Sequence, residues 1–394
     1  MGLFRRKIPD IERSLKMETL QTKRNKIYGK DFFKIGFSSA ASWAWGTSLI
    51  MGQQIAQEKG IVAWLIWAIS NSLTLALFGW LFNKGVITKE TFQRKEVKII
   101  ALLIQIFCLL VQLNFINKQL TLLTANPTVS YVVTGLIGAL FTLMVFKKGL
   151  PTSIATDVGQ WVGAIVAIAA IILYGVINNI PNAEFVNTSS SGVLWGSWSG
   201  IVLLAGPIGD VQHWQRAETD RSKKGYYLGA LVFALYMCEI LGMAFFKFDT
   251  VMNTILLVAV MCVTTSTIDS IAVATHEIKN KYVGTAVSLS LCVIWGVFVS
   301  MGMLDLWSAF GAIRFAFAAA IILLPICQKG KTAIVTIASV LGMAILAAFT
   351  YLGQIKIDSI AGIISVSIAT LIFGYCIANS IYNRRKLCLN ASKT

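Results

Sequence analysis

From residue 34 to residue 382 the chain is a succession of apolar stretches joined by short polar segments. A helix needs about 20 mainly apolar residues to cross roughly 30 Å of hydrocarbon. Stretches of that length, repeated almost end to end, leave no room for a water-soluble domain. They specify an all-α membrane protein, and the composition agrees, with 56% of residues apolar and 13% charged. Hydropathy predicts twelve spans near 34–57, 61–83, 97–118, 128–146, 153–177, 193–213, 226–247, 251–276, 282–302, 305–327, 331–353 and 360–382.

The polar segments orient those spans. With both termini inside, 29 of the 34 lysines and arginines lie on the cytoplasmic side, against Lys59, Lys118, Lys247 and Lys356 outside and Arg314 within a span. The net charge of +16 is therefore topological, and no aromatic-basic groove motif points to nucleic acid. The partners implied are a lipid bilayer and a small solute, with the protein multi-pass in the cell membrane. Residues 1–33 form a basic arm (Arg5, Arg6, Lys7, Arg13 and others) without a signal-peptide core, suited to anionic lipid as a short amphipathic helix around Ile8 to Leu20. Seven cysteines, mostly inside apolar runs and without ligand-like spacing, read as free thiols in packing positions. The longest exterior linker, 178–192, carries the sequon Asn187-Thr188-Ser189 and reads as a plain polar loop.

Two spans look broken. Span one contains Ser42-Trp43-Ala44-Trp45-Gly46-Thr47 and then Met51-Gly52-Gln53-Gln54; span six contains Gly196, Gly200 and Gly206-Pro207-Ile208-Gly209-Asp210. Lipid tolerates unwound backbone only where it lines a cavity. Interrupted spans five apart predict a five-plus-five inverted repeat with its binding site at the midplane, over 34–177 and 193–327, followed by two further helices (331–382) and a cytoplasmic tail (383–394).

Span eight is the most polar. Thr264-Thr265-Ser266-Thr267-Ile268-Asp269-Ser270 places hydroxyls and an acid at a depth where each unsatisfied group is costly. A helical hydroxyl lies near the carbonyl four residues earlier, so Thr267 beside the carbonyl of Val263, with Ser266 adjacent, offers several oxygens to a hard cation such as sodium. The alternative is that these hydroxyls only bond back to their own helix. Asp157, Glu239, Asp269 and Arg314 are functional candidates by virtue of being intramembrane ions, with Glu239 and Arg314 either a structural pair or facing a crevice. His213 and His276 read as interfacial packing at cytoplasmic helix ends.

Three motifs resemble the sodium:solute symporter family, whose members share the leucine-transporter fold. Lys148-Gly149-Leu150 with Thr156-Asp157-Val158-Gly159-Gln160 is similar to the family's signature opening the fifth core helix. Gly209-Asp210-Val211-Gln212-His213-Trp214-Gln215-Arg216 with Lys223-Lys224 is similar to the segment closing the sixth. Ser266-Thr267-Ile268-Asp269-Ser270 matches the serine–threonine–x–aspartate–serine pattern of the eighth. The likeness covers roughly residues 34–330. It implies a sodium site made by the carbonyls of Ser42, Trp45 and Val263 and the hydroxyls of Ser266 and Thr267, with Asp157 corresponding to the family's conserved acid near the sodium exit route; Asp269, as an intramembrane acid, is the other ion-pathway candidate. The solute would lie between the two breaks. The chain departs from the family in having a charged arm where members usually carry an additional helix, and Ala44 where some carry an acid.

The resulting expectation is sodium-coupled symport of a small polar solute by alternating access, the solute meeting Trp45, Gln53, Gln54, Trp195, Trp198 and Ser199. Sodium is the one cofactor expected. An enzyme is disfavoured because no metal-ligand spacing, nucleophile elbow or phosphate loop is present. A proton-coupled or uncoupled permease of the same fold, for a nucleobase or amino acid, and a transporter-like membrane sensor are the alternatives.

Overall fold

The computed structural model describes residues 32–93, 95–277 and 280–295, together with Arg314 and Ala318. The basic arm, spans eleven and twelve, the tail and nearly all of span ten lie outside the described residues. Among those described, the secondary structure is helical apart from one isolated bridge, Asn182 with Phe246. The helices are α1 (32–43), α2 (Gly46–Glu58), α3 (Ile61–Asn83), α4 (Lys89–Phe92), α5 (Lys95–Thr124), α6 (Pro127–Met144), α7 (Leu150–Ile177), α8 (Ser190–Leu204), α9 (Val211–Thr219), α10 (Gly225–Ala244), α11 (Thr250–Thr275) and α12 (Lys281–Ile294), with a 3₁₀ turn at Gly206–Gly209. Six of them, α3, α5, α6, α7, α10 and α11, are long and apolar enough to cross a membrane.

Local sequence sets many of the helix starts. Asn126 accepts from the Val129 amide ahead of Pro127, Ser189 from the Gly192 amide, Asp249 from the Met252 amide, and Asn280 from those of Tyr282 and Val283. Each side-chain oxygen satisfies a first-turn amide that has no partner within the helix. The outward faces are apolar: Leu136 of α6 is 65% exposed, and Val166 of α7 and Leu231 of α10 are each 61% exposed. Rows of this kind are out of place against water and suit lipid.

The core is organised around α11, which packs on α7, α5, α6, α12 and α2. All of its residues from Val263 to Thr275 are buried. The polar run of span eight thus faces protein on every side.

Span one is broken, and at one place. Ala44 and Trp45 leave the helix, Trp45 taking an extended backbone (φ −71°, ψ 156°) before α2 resumes at Gly46. Gly46 is required there, since a Cβ would lie 2.4 Å from Cγ2 of Thr264. Its amide, orphaned at the new helix start, donates to Oε1 of Gln112 on α5 at 3.2 Å. The Met51-Gly52-Gln53-Gln54 stretch, read from the sequence as part of the interruption, is instead continuous helix. Gly52 serves close packing on Ile240 and Trp67.

Span six is broken between α8 and α9, where Gly206–Gly209 forms the 3₁₀ turn and Asp210 is extended. Gly206 admits Trp43, whose ring edge would lie 2.1 Å from an added Cβ. Gly196 and Gly200 play no part in the break; they let α8 approach Ala63 and Ser70 of α3. The predicted end of span six near 213 is also short, because α9 continues to Thr219.

Candidate functional site

Two polar centres occupy the space between the breaks and α11. The first is built on Arg216, a residue that hydropathy assigns to a cytoplasmic loop. It is fully buried on α9, and Nη2 lies 2.8 Å from Oδ2 of Asp157 on α7, itself fully buried. The same nitrogen donates to Ser270 Oγ (2.7 Å) and Ser153 Oγ (3.1 Å), Nε donates to Ser38 Oγ (2.7 Å), and Nη1 to the Gln212 carbonyl (3.0 Å). One guanidinium therefore joins α9 to α1, α7 and α11. Removing a partner from such a pair strands a charge in low dielectric, so the elements are coupled through it.

The carboxylates outnumber the cation. Asp157 also accepts from Ser266 Oγ (2.7 Å) and from the hydroxyl of Ser38. Asp269, one turn further along α11, accepts from Ser153 Oγ and Thr156 Oγ1, both at 2.7 Å. Arg216 pairs with Asp157, while the partners of Asp269 among the described residues are hydroxyls.

The predicted sodium ligands fall beside this centre. Of the hydroxyls of α11, those of Thr264, Thr265, Thr267 and Ser270 bond back to carbonyls of Val260, Met261, Val263 and Ser266. Ser266 differs in reaching across to Asp157. Ser42 at the end of α1 meets α11 through its hydroxyl, 3.4 Å from Ser270 Oγ. Its carbonyl accepts from Trp45 Nε1 (3.2 Å) and Gln212 Nε2 (3.3 Å), which uses both of its lone pairs. The Trp45 carbonyl accepts from the Ser48 amide at 2.8 Å. The donor set is oxygen-rich and buried, as a hard cation requires, but a cation on the Ser42 carbonyl has to displace one of two side-chain donors.

The second centre is a small cavity between the breaks, lined by Trp43, Trp45, Thr47, Ser48, Met51, Trp67, Asn71, Leu203 and Arg314. Its free space is about that of one water. The Arg314 guanidinium lies over the rings of Trp43 (5.1 Å) and Trp45 (4.7 Å), and Nη2 is 2.5 Å from Oδ2 of Asp210, which also accepts from Gln105 Nε2 at 3.1 Å. The partner of Arg314 is therefore Asp210, at the break in span six, and not Glu239, which is half-buried on α10. His213 also differs from expectation. It is fully buried on α9, its ring 5.6 Å from Trp43 and 6.0 Å from Tyr226, because α9 folds back into the core. His276 does sit at a helix end, with Nε2 3.2 Å from Thr285 Oγ1.

Of the expected solute contacts, Trp45 alone lines the cavity among the described residues. Trp195 and Ser199 are buried on α8, which packs on α3, and the Ser199 hydroxyl bonds to its own helix at Gly196. Trp198, Gln53 and Gln54 are half-buried. Asn71 was missed by sequence reasoning, and Arg216 entered it only as the end of a family-like motif, with no site role. For Arg216 a signal existed, since a buried Asp157 demands a cation and the helix after a Gly-Pro break can re-enter the core.

No known protein-family profile matches the chain, and no curated protein matches its sequence. Solved structures that resemble it include the substrate-bound outward-open state of a Na⁺-coupled sialic acid symporter. That likeness has 14% sequence identity and a TM-score of 0.47, and covers 81% of this chain and 89% of that one.

Proposed function

We propose that the chain is a secondary active transporter that couples sodium to the movement of a small polar solute by alternating access. The observation that carries this reading is the meeting of two helix breaks, Ala44–Trp45 and Gly206–Asp210, at one small polar cavity, with buried ion pairs on its flanks. Unwound backbone at membrane depth is tolerated where it lines such a cavity, and solute and ion sites of transporters are built that way.

In this reading sodium is held by the carbonyls of Ser42, Trp45 and Val263 with the hydroxyls of Ser266 and Thr267, and Asp157 and Asp269 line its path. Sodium entry displaces Gln212 or Trp45 Nε1 from the Ser42 carbonyl, and loss of the Gln212 bond loosens α9 from α1. Because Gln212 stands one turn before Arg216, ion occupancy and the position of α9 are linked. A ligand shifts such an equilibrium only by its differential affinity for the two states, and this competition supplies one. The solute occupies the cavity, with Trp195, Trp198, Ser199, Gln53 and Gln54 meeting it as the breaks open. The ten-helix inverted repeat and the inside position of both termini belong to the same proposal.

Uptake into proteoliposomes with and without an inward sodium gradient tests it. Accumulation that follows the gradient is expected, and uptake indifferent to sodium removes the coupling claim. A proton-coupled permease is the second reading, favoured by the surplus carboxylate: Asp157 has Arg216, whereas buried Asp269 has hydroxyl partners among the described residues and needs either a proton or a metal cation for neutrality. Uptake driven by a pH gradient in sodium-free vesicles supports that reading.

A further inference from the structure

The cavity between the breaks is lined by buried hydrogen-bond donors. Asn71 is 1% exposed; its Oδ1 accepts from Trp43 Nε1 at 2.7 Å, while no described residue accepts from its Nδ2. Trp67 Nε1, on the same helix, is likewise a buried donor without an acceptor among the described residues. Of the lining residues, Leu203 has a carbonyl that accepts from Thr74 Oγ1 at 2.7 Å, and Trp43 one that accepts from the Trp45 amide at 2.9 Å. Among the described lining residues the one charged group is the guanidinium of Arg314, and Asp210 approaches it without lining the cavity.

Buried polar groups are nearly always paired, so these two donors call for a ligand that accepts hydrogen bonds, and Arg314, the one charged group on the described lining, favours a ligand that is negative there. The start of α2 lies on the same cavity, through Trp45, Thr47 and Ser48, and adds the positive end of a helix dipole. A cationic solute is disfavoured twice, by repulsion from Arg314 and because Arg314 already lies over the rings of Trp43 and Trp45, at 5.1 and 4.7 Å. We infer that the solute is a small organic monocarboxylate that enters this cavity as the breaks open, its carboxylate bound by Arg314, Asn71 and Trp67 and its apolar part against Met51 and the tryptophan rings. The inference rests on the transport reading for its biological meaning and specifies the cargo of that site. With sodium as co-ion, one carboxylate and one cation cross with no net charge.

The test uses the purified full-length protein in detergent and, in parallel, in proteoliposomes. Acetate, propionate and lactate are compared with acetamide, propionamide, lactamide and tetramethylammonium, in sodium and in choline, by tryptophan fluorescence and thermal unfolding. Saturable binding of the carboxylates, with the matched amides at least about tenfold weaker as for loss of a charge-assisted contact, is the expected result. Arg314→Gln should abolish the preference. Because that change strands Asp210, the neutral pair Asp210→Asn with Arg314→Gln is the control that keeps a hydrogen bond, and it should fold yet bind carboxylate and amide alike. Amides or tetramethylammonium binding as well as carboxylates, or the folded double variant retaining the preference, overturns the inference. The two proposals fail separately: carboxylate binding identical in choline removes sodium coupling and leaves the anion site standing, whereas sodium-driven uptake of an amide with no carboxylate binding keeps the transporter and removes the anion site.

Discussion

The two buried arginine–aspartate pairs of this protein look alike as pairs and differ in what surrounds them. Arg216–Asp157 is saturated: the guanidinium serves Ser38, Ser153, Ser270 and a backbone carbonyl as well as its acid, and both partners are fully buried. Arg314–Asp210 stands at the wall of a cavity, its guanidinium spread over two tryptophan rings. A saturated ion holds helices together; an ion facing a cavity is placed to meet something that arrives. The difference separates a tie between α9 and three neighbouring helices from the group proposed to bind the solute.

Removing the tie should cost most. Arg216→Met strands Asp157 in the core and should destabilise the protein by about 3–5 kcal/mol, measured by thermal or chemical unfolding in detergent. Asp157→Leu combined with Arg216→Met, which leaves no buried charge at the pair, should recover much of that loss. A single variant as stable as the parent would show that the pair ties nothing. The effect on the ion side is smaller. Ser266→Ala removes the hydroxyl that α11 sends to Asp157 and should raise the sodium concentration for half-maximal uptake by about three- to tenfold, the range for one neutral hydrogen bond. It should leave carboxylate binding unchanged.

Asn71→Ala is the mirror experiment. It removes a donor at the cavity and should weaken carboxylate binding by about three- to tenfold with the sodium requirement intact; if either variant moves both readouts equally, the two centres act as one. Smallest of all is the surface pair of Lys98 with Glu277, 2.6 Å apart but with both side chains partly exposed. Lys98→Gln should change stability by no more than ~1 kcal/mol, and by less in high salt. An effect comparable to that of Arg216→Met would mean that burial does not set the ranking.

Much of the architecture was legible. Apolar runs of membrane length mark α3, α5, α6, α7, α10 and α11, and cap residues mark several starts. The two interruptions were also legible, because Gly206-Pro207 cannot continue a helix smoothly and because polar residues cluster around Ala44. Locating the first break was harder. Gly52 looks as disruptive as Gly46 in sequence, yet one glycine packs inside a continuous helix and the other opens one, a distinction made by Thr264 and Gln112 on other helices. Of the residues the sequence singles out, Asp157, Asp269, Ser266 and Trp45 stand at the two polar centres, whereas Gln53, Gln54, Trp195, Trp198 and Ser199 do not line the cavity in this conformation.

By itself the sequence determined that this chain spans a membrane many times, which spans are interrupted and which one carries oxygen, because hydropathy, Gly-Pro chemistry and hydroxyl content are properties of neighbours along the chain. Which charge answers which was decided by the tertiary structure alone. Arg216 lies 59 residues from Asp157, and Arg314 lies 104 from Asp210. Nothing local distinguishes a loop arginine from one that a returning helix carries into the core. Burial makes each of those pairs consequential, and burial exists only once the helices have packed.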